Sequence, residues 1–204
     1  MESADGIVTD STAPKHGRSA HFVVDARRSR FTVQAFATGI LSAMGHNPTI
    51  GIRTFSGEVD FDPDTLGASG LKLDIQAASL SVQDDISDKD RREIERMMKG
   101  DVLEVAKYPE IRYEASSDSV TKLSDSMFSA ALSGTLNFHG VTRNQAVSVR
   151  ITLMGEMLRA SGDFTLKQSD YQIKPVSVAG GALKLKDEVK FSFEMVAHRQ
   201  EQAM

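Results

Sequence analysis

The sequence predicts an all-β protein in which about eight antiparallel strands form an up-and-down meander, with one short α-helix. Two observations predict this fold class. Apolar and polar residues alternate with a period of two along most of the chain, as in strands with one buried face. The connections are mostly short, as at the predicted turns 137–140 and 154–156, which favours antiparallel neighbours. Closure of the meander into a barrel would remove exposed sheet edges.

Eight segments carry the strand pattern. In the clearest of them, Phe128–Phe138, apolar or small residues occupy every second position. In Thr49–Phe61 the alternation changes parity between Ile52 and Phe55, which predicts a β-bulge or a strong bend near Arg53. The other six segments run over residues 31–37, 71–77, 110–116, 147–153, 158–166 and 189–197.

One segment departs from the strand pattern and predicts the helix. Ser87 lies three residues before Asp90, a spacing similar to a capping box. Among the charged residues that follow, apolar side chains recur at helical spacing, at Ile94, Met97 and Met98. We therefore expect an amphipathic helix that ends near Gly100 and covers one end of the barrel. A second short helical turn is expected over residues 167–171.

The chain is predicted to form one domain. Residues 1–20 are rich in Ser, Thr, Asp, Gly and Pro, which predicts a flexible N-terminal tail. Residues 21–199 form the barrel, and residues 200–204 form a C-terminal tail. The N-terminal segment lacks the basic and apolar regions of a secretory signal. We expect a cytoplasmic protein, or a periplasmic one if a signal has been trimmed.

Composition excludes several classes of function. The 204 residues include 24 Lys and Arg against 28 Asp and Glu, and the net charge of −4 argues against a nucleic-acid partner. The sequence contains no cysteine, which excludes disulfides, thiol nucleophiles and cysteine-based zinc sites. No apolar run approaches the roughly 18 residues of a membrane span, so stable membrane insertion is not expected.

The motifs of the common catalytic and metal sites are absent from the sequence. Asp60, Asp62 and Asp64 have the spacing of a calcium loop, but Thr65 and Leu71 replace the glycine and glutamate that such a loop needs. We interpret this segment as a solvated turn. No metal and no cofactor is predicted.

Two histidines lie in predicted connections. His46 follows Gly45 between two strands, where it could meet a ligand head group or a metal at the barrel mouth. The alternative is a turn residue that bonds its own backbone, and the lack of a visible partner favours this alternative. His139 precedes Gly140 in a predicted hairpin, which is typical of a turn.

Small residues interrupt the apolar faces of the predicted strands. An eight-stranded barrel is just wide enough to be filled by side chains or to hold one small ligand. The small residues therefore indicate either an apolar cavity along the axis or a taper of a filled barrel, and the pattern alone leaves both open. The positions concerned are Ala35, Ala37, Ala77, Ala115, Ala130, Gly134, Ala160, Gly162 and Ala197.

Several motifs together resemble the YceI-like family of polyisoprenoid-binding or lipid-binding proteins. The resemblance covers most of the chain after about residue 21 and rests on the order and spacing of its pieces. These are the opening segments 22–25 and 29–33, Phe55–Phe61 with its F-x-G-x-x-x-F pattern, residues 78–82, Lys107–Ile111 around K-Y-P, and Gly134–Thr142 ending in G-V-T.

The resemblance implies an extended eight-stranded, lipocalin-like antiparallel barrel with a long apolar tunnel and a short capping α-helix. It implies binding, storage or transport of a long-chain amphiphile, namely a polyisoprenoid, an isoprenoid quinone or a fatty-acid derivative. The family is not known as a class of enzymes, so no catalytic residue is predicted.

These expectations define candidate site residues. The predicted tunnel lining consists of Phe31, Val33, Leu73, Ile75, Leu132, Leu136, Phe138, Val149, Ile151, Phe164, Phe191 and Phe193. The helix residues Ile94, Met97 and Met98 would cover one end. The candidates for contact with a polar head group are His46, Asn47 and Arg53.

Two other functions remain alternatives at this point. The first is an enzyme that acts on an apolar substrate, with His46 as general base or metal ligand. The second is a filled barrel that serves as a protein-interaction module. A homodimer is left open beside a monomer.

Overall fold

The structure, a computed structural model of the chain, describes residues 20–38, 47–67, 69–178 and 183–200. Most of these residues lie in strands. In chain order the strands are β1 Ala20–Val24, β2 Arg30–Gln34, β3 Ala37–Thr38, β4 Thr49–Ile52, β5 Phe55–Phe61, β6 Gly70–Gln76, β7 Leu80–Val82, β8 Glu110–Lys122, β9 Met127–Phe138, β10 Val141–Met154, β11 Met157–Lys167, β12 Ser177–Val178, β13 Leu183–Leu185 and β14 Glu188–Arg199.

Helical segments are short and lie beside the strands. The one α-helix of the described ranges, α1, spans Asp88–Met97 and continues into a π-helical turn over Met98–Val102. Two 3₁₀ turns occupy Ala77–Ser79 and Gln168–Tyr171. The second of these confirms the short helical turn predicted over residues 167–171.

The main sheet closes into an antiparallel barrel of eight strands, as predicted. The strands follow one another around the ring in the order β1, β5, β6, β8, β9, β10, β11 and β14, and β14 pairs with β1 to close the ring. All pairings are antiparallel. Four of the eight around the ring, β5–β6, β8–β9, β9–β10 and β10–β11, join consecutive strands, which confirms the predicted meander for this part of the barrel.

Three of the eight barrel strands are interrupted. Strand β14 pairs with β1 at Val24 and Ala197 and then with β2 at Arg30 and Glu194, so β1 and β2 lie end to end along one neighbour. In the same way, β4 and β5 lie end to end in the barrel wall, and so do β7 and β6. The half-strands β2, β4 and β7 therefore lengthen the barrel at one end. We call this the helix end, because β7 leads into α1 there, and the opposite end the far end.

The interruption between β4 and β5 is the bend predicted near Arg53. Arg53 and Thr54 are exposed between the buried side chains of Ile52 and Phe55. Both residues of the bend hydrogen-bond to the segment where β6 passes into β7. The Thr54 amide donates to Ser79 Oγ (3.0 Å), and Arg53 Nε donates to Ser81 Oγ (2.6 Å). The interruptions of adjacent strands are thus aligned and hydrogen-bonded to each other where the barrel changes direction.

The two predicted hairpin turns are confirmed. β9 and β10 are joined by His139 and Gly140, whose φ angles of 52° and 74° are those of a two-residue primed turn. β10 and β11 are joined by Gly155 and Glu156, with φ of 60° at the glycine. Strand β1 begins at Ala20, a residue that the sequence pattern assigns to the tail.

Candidate functional site

The barrel interior encloses a narrow apolar cavity of about 90 Å³. Inward-facing side chains from every barrel strand except β1, and from the half-strand β2, line this inner cavity. Eleven of the twelve predicted lining residues are among them: Phe31, Leu73, Ile75, Leu132, Leu136, Phe138, Val149, Ile151, Phe164, Phe191 and Phe193. Their role in ligand binding remains a prediction.

The far end of the barrel is filled by side chains. Phe61 ends β5 and packs edge-to-face against Phe128 at a centroid distance of 5.2 Å. Leu158, at the start of β11, is fully buried beside them in the same core cluster. These side chains fill the far end of the barrel.

A larger cavity of about 520 Å³ lies at the helix end. Its walls come from β2, β4, β7 and β14, from α1 with its π-helical turn, and from the segment before β12. The predicted residues Val33, Ile94, Met97 and Met98 line this outer cavity. The small sheet of β3, β12 and β13 contributes Lys184 and Leu185 to the same wall.

The inner and outer cavities share three lining side chains. Ile111 of β8, Phe138 of β9 and Phe191 of β14 line both. The apolar interior therefore consists of two chambers of unequal size that meet at these three residues.

The helix α1 is attached to the open edge of the sheet. Ser87 caps its N-terminus, with Ser87 Oγ accepting from the Asp90 amide (3.1 Å), as predicted. β7 forms the edge of the main sheet, and the Val82 amide donates to Glu95 Oε1 of α1 (3.0 Å). Arg91 donates to the carbonyls of Val82 and Asp84. Side chains of α1 thus take the place of a further strand beside β7.

The apolar face of α1 is not packed into a core. None of its residues is fully buried, and Ile94 is 38% exposed although it lines the outer cavity. An amphipathic helix in a filled protein buries its apolar stripe against neighbouring side chains. Here that stripe faces open apolar volume, and the flexible Met97 and Met98 can adapt to different occupants.

The rim of the outer cavity carries a few polar groups. Asp84, Asp90, Glu93, Gln168 and Lys184 are the polar members of its lining. Asp84 accepts from the Thr49 amide (3.0 Å), which fixes its position beside the start of β4. A hydrogen bond from Arg96 lowers the pKa of Glu93. A bound amphiphile could place its polar group at this rim.

The three head-group candidates are not brought together. His46 lies outside the described residues. Asn47 Oδ1 accepts from the Ala37 amide (2.8 Å), and Arg53 holds the strand bend described above. Within the described ranges neither Asn47 nor Arg53 lines a cavity, so their predicted contact with a head group receives no geometric support.

Tyr113 is the titratable residue of the inner lining. Its hydroxyl donates to the carbonyl of Gln145 (3.0 Å), and burial raises the pKa of Tyr113 to about 12. The phenol is therefore neutral and already committed to a backbone acceptor. It gives the inner cavity no charge.

His139 is buried in the hairpin turn, as its position beside Gly140 predicted, and is 8% exposed. Its Nδ1 lies 3.0 Å from the Tyr171 carbonyl, and its ring lies 4.3 Å from the ring of Tyr108. Nε2 is 3.2 Å from Glu104 Oε2 but is not aligned for a hydrogen bond with any described residue. The histidine ties the hairpin to the chain that follows α1.

The acidic segment after β5 forms a turn, in agreement with the interpretation from sequence. Asp62 accepts from the amides of Asp64 and Thr65 and from Thr65 Oγ1. The hydrogen bond from the Thr65 hydroxyl is the main cause of a lowered pKa at Asp62. In the described part of the chain, no group of three or more His, Asp or Glu side chains could hold a metal ion.

Sequence reasoning missed part of the lining of both cavities. The inner cavity also contacts Val59, Phe61, Leu71, Ile111, Tyr113, Ala130, Val147, Leu158, Ala160 and Met195. The outer cavity also contacts Ala35, Pro48, Ile50, Ile52, Leu80, Ile86, Val102, Leu103, Ile173, Val176, Leu185 and Val189. Most of the strand residues follow the alternation that identified the others, so the signal was present. The residues from loops carry no such pattern.

Comparison with known proteins assigns the chain to a family. The model of the YceI-like domain matches residues 18–197, and the chain belongs to this family. No curated protein matches the sequence closely enough to report. Among the helices of the described ranges, none is long and apolar enough to cross a membrane.

Solved structures show the same fold at low sequence identity. Burkholderia cenocepacia BcnA is 19% identical, with a TM-score of 0.65, over 85% of this chain and 98% of that one. A polyisoprenoid binding domain from Saccharophagus degradans, implicated in plant cell wall breakdown, is 17% identical, with a TM-score of 0.63. The match covers 90% of this chain and 100% of that one. The Campylobacter jejuni YCEI protein is 17% identical, with a TM-score of 0.56. The match covers 78% of this chain and 88% of that one.

Proposed function

We propose that this protein binds one long-chain amphiphile, a polyisoprenoid, isoprenoid quinone or fatty-acid derivative, and releases it chemically unchanged. The observation that carries the proposal is the outer cavity of about 520 Å³, which lies beneath a helix whose apolar residues are not fully buried. A cavity of this size falls within the range of small-molecule sites, roughly 300–1,000 Å³.

The hydrophobic effect supplies the affinity. Transfer of a methylene group from water to an apolar site gains about 0.8 kcal/mol, so ten buried methylenes gain roughly 8 kcal/mol. That free energy corresponds to a dissociation constant near one micromolar, before the cost of ordering the chain is subtracted. The lining offers such a chain apolar contact along both cavities.

The family relationship supports the class of ligand. The structurally similar domain from Saccharophagus degradans is described as binding polyisoprenoids, and its fold is shared over 90% of this chain. The neutral, hydrogen-bonded Tyr113 of the inner cavity is a poor general base, which favours binding over catalysis there. The large outer cavity favours a ligand-binding barrel over a filled interaction module.

A pair of substitutions on one strand tests the proposal. Leu136 is buried and lines the inner cavity, whereas its neighbour Thr135 is exposed on the outer face of β9. We expect Leu136→Asp to abolish the binding of tritiated geranylgeraniol, because a carboxylate in the apolar lining must be desolvated. Thr135→Asp, the matched control, should bind like the wild type, and His46→Ala should only weaken binding.

Circular dichroism and urea unfolding establish that both β9 variants are folded before loading is compared. Equal loading of a folded Leu136→Asp protein and of the wild type would contradict the proposal.

A further inference from the structure

Residues with a left-handed backbone gather at one place behind the wall of the outer cavity. Of the four non-glycine residues with positive φ in the described ranges, three are Glu104 (43°), His139 (52°) and Gln172 (59°). Backbone conformations that L-residues rarely adopt are often found at functional sites. Each of the three is next in sequence to a residue that lines the outer cavity. These lining residues are Leu103, Phe138 and Ile173.

The glutamate at position 104 serves a contact and not the end of the helix. Glu104 is the first residue after the π-helical turn that follows α1, a position where glycine is favoured because it has no Cβ atom. Its side chain reaches the hairpin turn between β9 and β10, where Oε2 lies 3.2 Å from His139 Nε2. The contact with His139 is therefore what a glutamate supplies here and a glycine would not.

The ring of His139 faces an oxygen acceptor on each side. Nδ1 lies 3.0 Å from the Tyr171 carbonyl oxygen, which can only accept, so we assign a hydrogen to Nδ1. Nε2 is buried and faces the Glu104 carboxylate, which also accepts when it is ionised. A neutral imidazole has one N–H and can serve one of these oxygens, whereas the imidazolium serves both. Loss of its second proton would leave a ring lone pair facing a carboxylate oxygen.

Histidine is the residue type in this cluster that ordinarily gains or loses its proton between about pH 5.5 and 8.5, while carboxylates, lysine and arginine stay charged. Burial raises the pKa of Tyr171, which keeps this phenol neutral. The titratable groups around the ring come from the segment after α1, from the hairpin itself and from the second 3₁₀ turn. They are Glu104, Lys107, Tyr108, Arg143, Asp170 and Tyr171.

The contact joins a fixed element to one that is held less firmly. Twelve residue pairs between β9 and β10 fix the hairpin that carries His139. The connector, residues 103–109, contains no strand residue and rests on the hairpin turn through Tyr108. A Cβ atom at Gly140 would lie 2.5 Å from Tyr108 Cε1, which shows how closely the ring covers the turn. Separation of the pair would therefore move the connector, and Leu103 with it.

We propose that Glu104 and His139 form a proton-dependent latch on the outer cavity. This inference rests on the proposed lipid binding and adds its regulation. When the ring carries both protons, the ion pair holds the connector against the hairpin and keeps Leu103 in the cavity wall. As pH rises and the ring loses a proton, the connector separates from the hairpin, the wall opens, and the bound amphiphile is released faster.

The test measures transfer of geranylgeraniol from the full chain to excess cyclodextrin at about pH 5.5 and about pH 8.5. For the wild type, we expect release to be at least about fivefold faster at the higher pH. In Glu104→Gln this ratio should fall below about twofold, because an amide can pair with either form of the ring.

Two histidine variants locate the effect. His139→Asn should also bring the ratio below about twofold, and it preserves the turn because Asn-Gly is a preferred sequence of primed two-residue hairpins. His21→Asn is the matched control, since it removes a histidine that pairs with Asp60 at 2.9 Å elsewhere on the barrel. This control should keep the wild-type ratio.

Urea unfolding of the ligand-free protein separates the latch from a structural role of Glu104. Glu104→Gly relieves the left-handed backbone at every pH but removes the ion pair. Relative to the wild type, we therefore expect its urea midpoint to be higher at the higher pH than at the lower pH. An equal change at both pH values would assign Glu104 to helix termination alone and overturn the latch.

Failure of the latch and failure of lipid binding are distinguishable. If geranylgeraniol binds the wild type at neither pH, the proposed function is contradicted, and the latch with it. Binding with equal release rates at both pH values would overturn the latch alone. A wild-type ratio that persists in folded Glu104→Gln and His139→Asn would also overturn the latch while leaving lipid binding intact.

Discussion

At the scale of single residues, two glycines allow neighbouring barrel strands to approach more closely than another residue would permit. A Cβ atom at Gly134 would overlap the Glu114 carbonyl oxygen and the Cβ of Ala115. A Cβ atom at Gly162 would lie 2.5 Å from the Ser148 carbonyl oxygen and 2.9 Å from Cζ of Phe193. These glycines mark sharp curvature of the sheet and not empty space inside it.

The distinction between sheet curvature and empty space decides how the small residues on the apolar faces of the strands are interpreted. Ala130 and Ala160 line the inner cavity, so these two small residues do leave room along the axis. The glycines at 134 and 162 serve the close approach of strands instead. Sequence alone could not separate the two roles, because both place a small residue at an inward position.

The substitution Gly134→Ala tests this reading of curvature. Because the added methyl group meets backbone and a Cβ atom, the strands must move apart, and we expect a loss of about 1–3 kcal/mol in the free energy of unfolding. Urea denaturation measures it. Gly100→Ala is the matched control, since a Cβ atom there meets nothing within 4 Å, and its stability should be unchanged or slightly higher. Equal effects of the two substitutions would contradict the account.

At the scale of elements, the outer cavity depends on how α1 is held against β7. Only one backbone amide of this edge strand, that of Val82, is bonded to the helix, through the Glu95 carboxylate, among the contacts of the described residues. Glu95 also lies 3.4 Å from Lys99, which keeps its carboxylate oriented. The helix is therefore attached through a few polar contacts, while its apolar face remains available to a ligand.

The substitution Glu95→Ala should loosen this attachment. It leaves the Val82 amide without its acceptor, so we expect hydrogen exchange at Val82 to become about tenfold faster and release of bound geranylgeraniol to accelerate. Glu95→Gln keeps an oxygen acceptor and should restore most of the protection. Arg92→Ala removes an exposed charge from the same helix and serves as the control. Unchanged exchange at Val82 in Glu95→Ala would refute the role of this contact.

The strands show what the sequence could and could not predict at this scale. Alternation identified seven of the eight barrel strands because each of them has a single buried face, and the parity change at Ile52 and Phe55 located one interruption. Strand β1 was indicated only by the family resemblance of residues 22–25. A parity change of the same kind occurs between the buried residues Ala77 and Leu80, and it marks the interruption between β6 and β7. This second interruption was not predicted from the sequence. The alignment of the interruptions depends on pairing between strands, which a single sequence does not encode as a local pattern.

At the scale of the whole molecule, the barrel has two unlike ends. The far end is packed by Phe61, Phe128 and Leu158, whereas the helix end contains the large apolar cavity and the polar rim. Under the proposed function, this asymmetry would orient a bound amphiphile with its chain directed inward and its polar group at the rim. The strands and the apolar faces were predictable from alternation. The division into two chambers was not, because it depends on which side chains meet across the barrel.

Native mass spectrometry of the full chain shows whether the apolar interior holds one long-chain amphiphile. The protein is stripped of lipid, incubated with geranylgeraniol and sprayed under conditions that preserve non-covalent complexes. The account predicts a single added mass of one geranylgeraniol per chain, lost on collisional activation. A mass that stays at that of the free chain, with geranylgeraniol in excess and the protein folded, would contradict the claim.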